Sequence, residues 1–102
     1  MTKIYIAGKV TGENLAECRY KFAVMQESLE NRGFEVVNPM EVVKDPATPW
    51  QDAMDLCFAA LAECDAIYMM PCSVHSKGAQ LELEYALDKN FLIYHELQNV
   101  EA

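Results

Sequence analysis

Strand-like and helix-like segments alternate along this chain, and that alternation constrains its fold more than any other feature. Four short apolar segments have the composition of strands: residues 3–7, 34–38, 65–70 and 91–95. Three longer segments with helical spacing separate them: residues 13–32, 50–63 and 77–89. The third strand segment is apolar almost throughout, as expected for a strand covered on both faces. The order predicts an α/β fold, a three-layer sandwich of Rossmann or flavodoxin type with a four- or five-stranded parallel sheet in the order 2-1-3-4.

Length and charge narrow the class of protein further. The 102 residues suit one compact domain, which we place at residues 1–97, followed by a polar tail at 98–102. Hydrophobic residues make up 52% of the chain, enough for a real core. The net charge of −8, with no basic patch, argues against a nucleic acid polymer as partner, since such binding relies on Lys and Arg at phosphates. It does not exclude a small anionic ligand held by backbone amides.

The cysteines and histidines show no metal-binding pattern. None of the four cysteines forms a CxxC pair, and His75 and His95 stand alone. We therefore expect no metal and no cofactor.

The N-terminal residues lack the pattern of a secretory signal, and no segment has the roughly 20 apolar residues of a membrane span. These features predict a cytoplasmic protein with reduced thiols and no membrane partner.

Ligands of parallel α/β sheets bind beyond the carboxyl ends of the strands, where three predicted loops of this chain should meet: residues 8–12, 38–49 and 71–78. The loop Gly8–Gly12 is either a tight structural turn or a close-approach loop for an anion. The turn Ser76–Gly78 precedes a helix. Ser76 either caps that helix or, with the amides after it, holds a phosphate or hydroxyl. The residues leave both pairs of alternatives open.

Glu82 lies on the apolar side of the helix that follows this turn. At about 100° per residue, the polar side chains of the helix share one arc: Lys77, Gln80, Glu84 and Asp88. Glu82 falls on the other side, beside Ala79 and Ala86. A carboxylate in an apolar arc is costly to bury unless it is paired or used. Glu82 is thus a candidate for chemistry, and the alternative is that it reaches solvent or pairs with Lys89.

Five motifs, in order along nearly the whole chain, resemble the DUF4406 family within the nucleoside 2-deoxyribosyltransferase-like superfamily. They are Lys-Ile-Tyr-Ile-Ala-Gly at 3–8, Val-Val-Asn-Pro at 36–39, Cys-Asp-Ala-Ile-Tyr at 64–68, Met-Pro at 70–71 and Ser-Lys-Gly-Ala-Gln-Leu-Glu at 76–82. The resemblance implies cleavage of the N-glycosidic bond of a nucleoside or 2'-deoxynucleoside 5'-monophosphate, by hydrolysis or by transfer to another base.

The same resemblance implies roles for individual residues. Glu82 matches the nucleophilic glutamate, and Tyr5 matches a tyrosine beside it. Ser76 matches a serine that holds the 5'-phosphate, and Gly8 belongs to a loop that contacts the sugar or phosphate. We add three further substrate-binding candidates: Lys9, Gly78 and Ala79.

The chain departs from the superfamily pattern at two positions. Cys57 stands where many members have a second acidic residue, an aspartate. Asp55 is a poor substitute because periodicity turns it toward solvent, and Asp65 opens the third strand at the wrong end of the sheet. Lys9 stands where we expect proline or another small residue. Its ammonium group either binds phosphate or is solvated.

Three hypotheses follow. The first is an N-glycosidase or deoxyribosyltransferase that uses Glu82. The second, motivated by Cys57, is a non-catalytic module that binds or senses nucleotides. The third is an interaction module whose aromatic residues Trp50, Phe58 and Tyr85 bury in a homodimer. A homo-oligomer, a dimer or larger, is compatible with either of the first two.

Overall fold

A computed structural model describes residues 1–97 and contains one sheet of four parallel strands. The strands are β1 Lys3–Ala7, β2 Glu35–Val37, β3 Ala66–Met69 and β4 Leu92–Tyr94. Their order is β2-β1-β3-β4, and every neighbouring pair is parallel. The predicted α/β sandwich and strand order are therefore confirmed, with four strands. The predicted polar tail at 98–102 lies outside the described residues.

Helices account for most of the remaining chain. They are α1 Leu15–Glu30, α2 Pro39–Val42, α3 Trp50–Leu61 and α4 Lys77–Asp88, with a 3₁₀ turn at Pro71–His75. The prediction of loops at two of these places was wrong, because α2 and the 3₁₀ turn occupy them. Asn38 caps α2 by accepting a hydrogen bond from the amide of Met40 at 2.9 Å, and Pro39 supplies the fixed φ favoured at a first helical position.

The helices cover the sheet on both faces, and alternation along β1 sends neighbouring side chains to opposite layers. Ile4 and Ile6 pack in the layer that contains Phe22 and Leu29 of α1. Tyr5 and Ala7 pack in the other layer, with α3 and α4. This alternation places Tyr5 on the face that carries Glu82.

The turns around α1 and α4 follow from single residues. Gly33 ends the turn after α1 with φ of 93°, in the left-handed region that glycine adopts without strain. Asn14 caps the start of α1, since its side-chain oxygen accepts from the amide of Glu17 at 3.0 Å. Ser76 caps α4 in the same way, through the amide of Ala79 at 3.1 Å. Both caps fix where a helix leaves the carboxyl edge of the sheet.

Two residues that helical spacing assigns to buried faces are partly exposed. Leu15 is 39% exposed and Trp50 is 40% exposed. Each is the first residue of its helix, at the end where the sheet no longer covers the side chain.

Within residues 1–97, no helix combines the length and apolar character that a membrane crossing requires.

Candidate functional site

A cavity of about 420 Å³ opens at the carboxyl edge of the sheet. Among its lining residues are six of the seven that sequence analysis assigns to a site: Tyr5, Gly8, Ser76, Gly78, Ala79 and Glu82. The lining also includes Cys57 and Met54 from α3, and Pro39 and Met40 from α2. The α2 helix, which sequence analysis missed, therefore helps to form the cavity.

Glu82 lies on the floor of the cavity and is only 5% exposed. The hydroxyl of Tyr5 donates to its Oε2 over 2.5 Å, a short bond between a strand and a helix. Burial raises the pKa of Glu82 to about 7, and the hydrogen bond from Tyr5 opposes part of that rise because it favours the charged carboxylate. The same burial raises the pKa of Tyr5 well above its ordinary value, and the nearby charge of Glu82 adds to the effect.

Lys89 is not the partner of Glu82. Its ammonium group lies 4.0 Å from Asp88 and 5.8 Å from the centroid of the Tyr85 ring. Glu82 does not reach solvent either, because it is almost completely buried. The structure therefore disagrees with both ordinary explanations for this carboxylate, and its partner is Tyr5.

Cys57 lies on the floor beside Tyr5 and is 7% exposed. Burial raises the pKa of its thiol to about 11, and the neighbouring hydroxyl of Tyr5 offsets only part of that rise. Asp55 is exposed and bonds to Gln51 at 3.0 Å, as the periodicity predicts. Asp65 accepts from the amide of Lys3, at the opposite edge of the sheet. Neither aspartate reaches the floor.

The Ser76–Gly78 turn forms one wall of the cavity. The Ser76 hydroxyl caps α4, so the amide of Ala79 already has an acceptor in this structure. At Gly78, a Cβ atom would lie 2.9 Å from Sδ of Met54, too close for an ordinary contact. Glycine at position 78 thus lets α3 and α4 approach each other closely beside the cavity.

The loop after β1 forms the facing wall. Gly8 is buried, and a Cβ there would collide with Cε of Met70 and lie 3.1 Å from Cζ of Phe22. Close packing against Met70 and Phe22 therefore favours glycine at this position. Gly12 has φ of 82°, the left-handed conformation of a turn, with open space around it.

Lys9 is the one predicted site residue that does not line the cavity. Its amide faces Sγ of Cys72 at 3.3 Å, and its carbonyl accepts from Nζ of Lys21 at 3.0 Å. The backbone of Lys9 is therefore engaged with α1 and the 3₁₀ turn. The expectation of a phosphate-binding Lys9 has no support in this arrangement.

Sequence analysis missed three large lining residues: Arg19, Lys44 and Trp50. Arg19 follows Leu15 by four positions on α1, so both lie on the face that meets the cavity. Helical spacing from Leu15 could therefore have indicated that Arg19 lies at the cavity. Lys44 lies in the segment between α2 and α3, where no periodicity marks its direction. All three are exposed and form the rim.

In the described part of the chain, no three side chains of His, Cys, Asp or Glu converge on a point that would suit a metal ion.

A sequence model of a protein family matches residues 2–95, nearly the whole chain. That family is described as a domain of unknown function, DUF4406. The chain belongs to the DUF4406 family. A comparison with proteins of curated function found no match. In this DUF4406 domain, the matched residues include all of the cavity floor.

Proposed function

We propose that this DUF4406 domain belongs to the nucleoside 2-deoxyribosyltransferase-like superfamily and cleaves the N-glycosidic bond of a nucleoside or 2'-deoxynucleoside 5'-monophosphate. The observation that carries the proposal is the pairing of Glu82 with Tyr5 on the floor of a cavity large enough for a small ligand. A nearly buried carboxylate with a single hydroxyl partner is costly to maintain, and such groups concentrate at functional sites.

Glu82 acts as the nucleophile in this mechanism. Departure of the base builds positive charge on the sugar, which an ionised carboxylate stabilises and then traps as a glycosyl ester. Glu82 has a pKa of about 7, so near neutral pH a large share of the molecules carry the nucleophilic carboxylate. Water then resolves the ester in a hydrolase, and a second base resolves it in a transferase.

Tyr5 holds the nucleophile in place. Its hydroxyl donates to Oε2, which leaves Oε1 of Glu82 without that bond and available to the anomeric carbon. Because β1 and α4 are both anchored in the core, the phenol fixes the carboxylate with little freedom. We assign Tyr5 a positioning role and Glu82 the covalent role.

The walls supply the binding contacts in this proposal. The turn at Ser76 and Gly78 offers a hydroxyl and the start of α4 to the sugar or its 5' substituent. The rim cations Arg19 and Lys44 are within the lining and suit an anionic group at the mouth. The predicted partner is thus a small molecule. A cytoplasmic location and a homo-oligomer stay predictions.

The test is release of free base from a panel of nucleosides, deoxynucleosides and their 5'-monophosphates. We expect at least one to be cleaved, and Glu82→Gln to lower that rate by at least about a thousandfold, since the covalent step is removed. Glu84→Gln is the matched control, because Glu84 is exposed on the same helix. A panel with no released base, or equal rates in Glu82→Gln and the original chain, contradicts the proposal.

A second candidate function is a non-catalytic nucleotide-binding module, and Cys57 favours it. The floor offers a thiol of raised pKa where the resemblance implies a second carboxyl group. This candidate predicts that nucleotides raise the melting temperature, roughly with the logarithm of their concentration above Kd, while no free base appears. Base release that depends on Glu82 argues against it.

A further inference from the structure

Among residues 1–97, Glu82 is the one residue that brings a carboxyl group to the floor of the cavity. Of the lining residues, Glu13 and Asp45 also carry carboxyl groups, but both are exposed and belong to the rim. The polar neighbours of Glu82 on the floor are the phenol of Tyr5 and the thiol of Cys57. Among the described residues, these are the two floor groups beside Glu82 that carry a proton they could give to a departing base.

Neither group is suited to give a proton to a departing base at neutral pH. The Tyr5 proton already bonds to Glu82, and burial raises the pKa of this phenol well above its ordinary value. Burial likewise raises the pKa of the Cys57 thiol to about 11. Glu82 itself cannot serve, because it must lose its proton before it attacks. A neutral base that leaves as an anion therefore finds no general acid on the floor.

We infer that the substrate of this site is a nucleoside or nucleotide whose base already carries a positive charge, such as an N7-alkylated purine or an N-glycosylated pyridinium. The inference rests on the proposed function. Oε1 of Glu82 forms a bond to the anomeric carbon as the carbon–nitrogen bond breaks, and the electron pair neutralises the cationic ring. The base leaves uncharged without a proton. Water then cleaves the ester, releases the sugar and gives its second proton to solvent.

The electrostatics of the chain favour such a substrate. A cation beside Glu82 favours its ionised form, so binding of the substrate would itself prepare the nucleophile. The net charge of −8 attracts cations from solution. Arg19 and Lys44, the cations of the lining, are exposed on the rim, where a 5'-phosphate could contact them. Neither lies on the floor beside Glu82.

The experiment compares two substrates that differ by one methyl group and one charge: 7-methylguanosine and guanosine. Their 2'-deoxy forms and 5'-monophosphates are included, and each enzymatic rate is divided by the spontaneous rate of the same compound. We expect this enhancement to be at least about tenfold larger for the cationic member, because the neutral one lacks its acid. Equal enhancements overturn the inference and leave the proposed function standing. No base from any compound overturns both.

Two variants at position 57 test the cause. Cys57→Asp introduces a carboxyl group that can carry a proton, and Cys57→Asn introduces the same shape without that acid. For each variant, the rate enhancement of the cationic substrate is divided by that of the neutral one. We expect this ratio to be at least about tenfold smaller in Cys57→Asp than in Cys57→Asn. An equal ratio of rate enhancements in the two variants contradicts the inference.

A further measurement needs no variant, which matters if a buried aspartate at position 57 prevents folding. Without a general acid, the cleavage rate of neutral nucleosides by the original chain should rise steeply with the acidity of the departing base. A series from adenine to more acidic, electron-poor purines measures that slope. A flat dependence shows that the base receives a proton during departure and overturns the inference.

Discussion

Glu82 makes the stability of this domain depend on pH, apart from the catalytic role that we propose for it. Its pKa is about 7 in the folded chain, against an ordinary value of 4.5, because burial disfavours the carboxylate. The folded state therefore holds a proton on Glu82 over a pH range in which the unfolded state has released it. By linkage, the free energy of unfolding falls as pH rises between these two values.

The first prediction concerns Glu82→Gln. Glutamine keeps the shape and can accept from Tyr5, but it carries no charge that burial would penalise. We expect the variant to be more stable than the original chain at pH 8, by up to about 3 kcal/mol, and the advantage to shrink as pH falls toward 4.5. Urea unfolding at pH 5 and pH 8 measures the difference.

The control for this prediction is Glu84→Gln, because Glu84 is exposed on the same helix. It should change stability by no more than about 0.5 kcal/mol at either pH. If Glu82→Gln shows the same small effect at both values, Glu82 is not a buried carboxylate of raised pKa.

Capping decides how the helical elements meet the cavity. Ser76 and Asn14 perform the same backbone task, each accepting from an amide three residues on. Only Ser76 lines the cavity. Comparing the loss of each cap therefore separates the structural role of Ser76 from its proposed role in ligand binding.

The second prediction therefore compares Ser76→Ala with Asn14→Ala. Both should lower stability by about 1 kcal/mol, since each removes one helix cap. Only Ser76→Ala should also weaken ligand binding, by roughly tenfold where the ligand bonds to the hydroxyl. Thermal unfolding and titration with the best ligand of the panel measure the two effects. Equal losses of affinity in both variants would show that Ser76 acts through α4 alone.

Elements differ in how far the sequence predicts them. Long periodic segments such as α1 and α4 are visible because their apolar residues recur at helical spacing. The α2 helix has only four residues, too few for a period, although Asn38 followed by Pro39 is a recognisable helix start. Helical spacing gives the direction of Trp50 around α3 but not the point at which the sheet ends, so it does not predict that this side chain is 40% exposed.

The candidate site is predictable to a similar degree. Glu82 stands out by residue type and helical angle alone. Tyr5 does not, since a tyrosine in an apolar strand is ordinary core, and its role depends on the pairing of β1 and α4 across 77 positions. Lys9 is not among the lining residues, and its backbone contacts Cys72 and Lys21, which helical or strand periodicity does not predict for a loop residue.

At the scale of the whole molecule, the four cysteines are free thiols. Burial raises the pKa of three of them, Cys18, Cys57 and Cys64, which lowers the share of reactive thiolate. The fold therefore needs no disulfide to hold its two layers on the sheet.

The third prediction follows for the redox behaviour of the chain. Melting temperatures measured with and without a reducing agent should agree within about 1 °C, because no cross-link is lost. A native disulfide worth 2–4 kcal/mol would instead lower the value on reduction by roughly 10 °C or more. Such a drop, together with a mass difference after alkylation, would contradict the assignment of free thiols.

Trp50 is the only tryptophan of the chain, and it stands at the mouth of the cavity with 40% of its surface exposed. Its fluorescence therefore comes from one place. A ligand that enters the cavity displaces water from the indole, so the emission maximum and intensity report occupancy without any label. Tryptophan fluorescence therefore gives a direct assay for screening the ligands that the proposed function predicts.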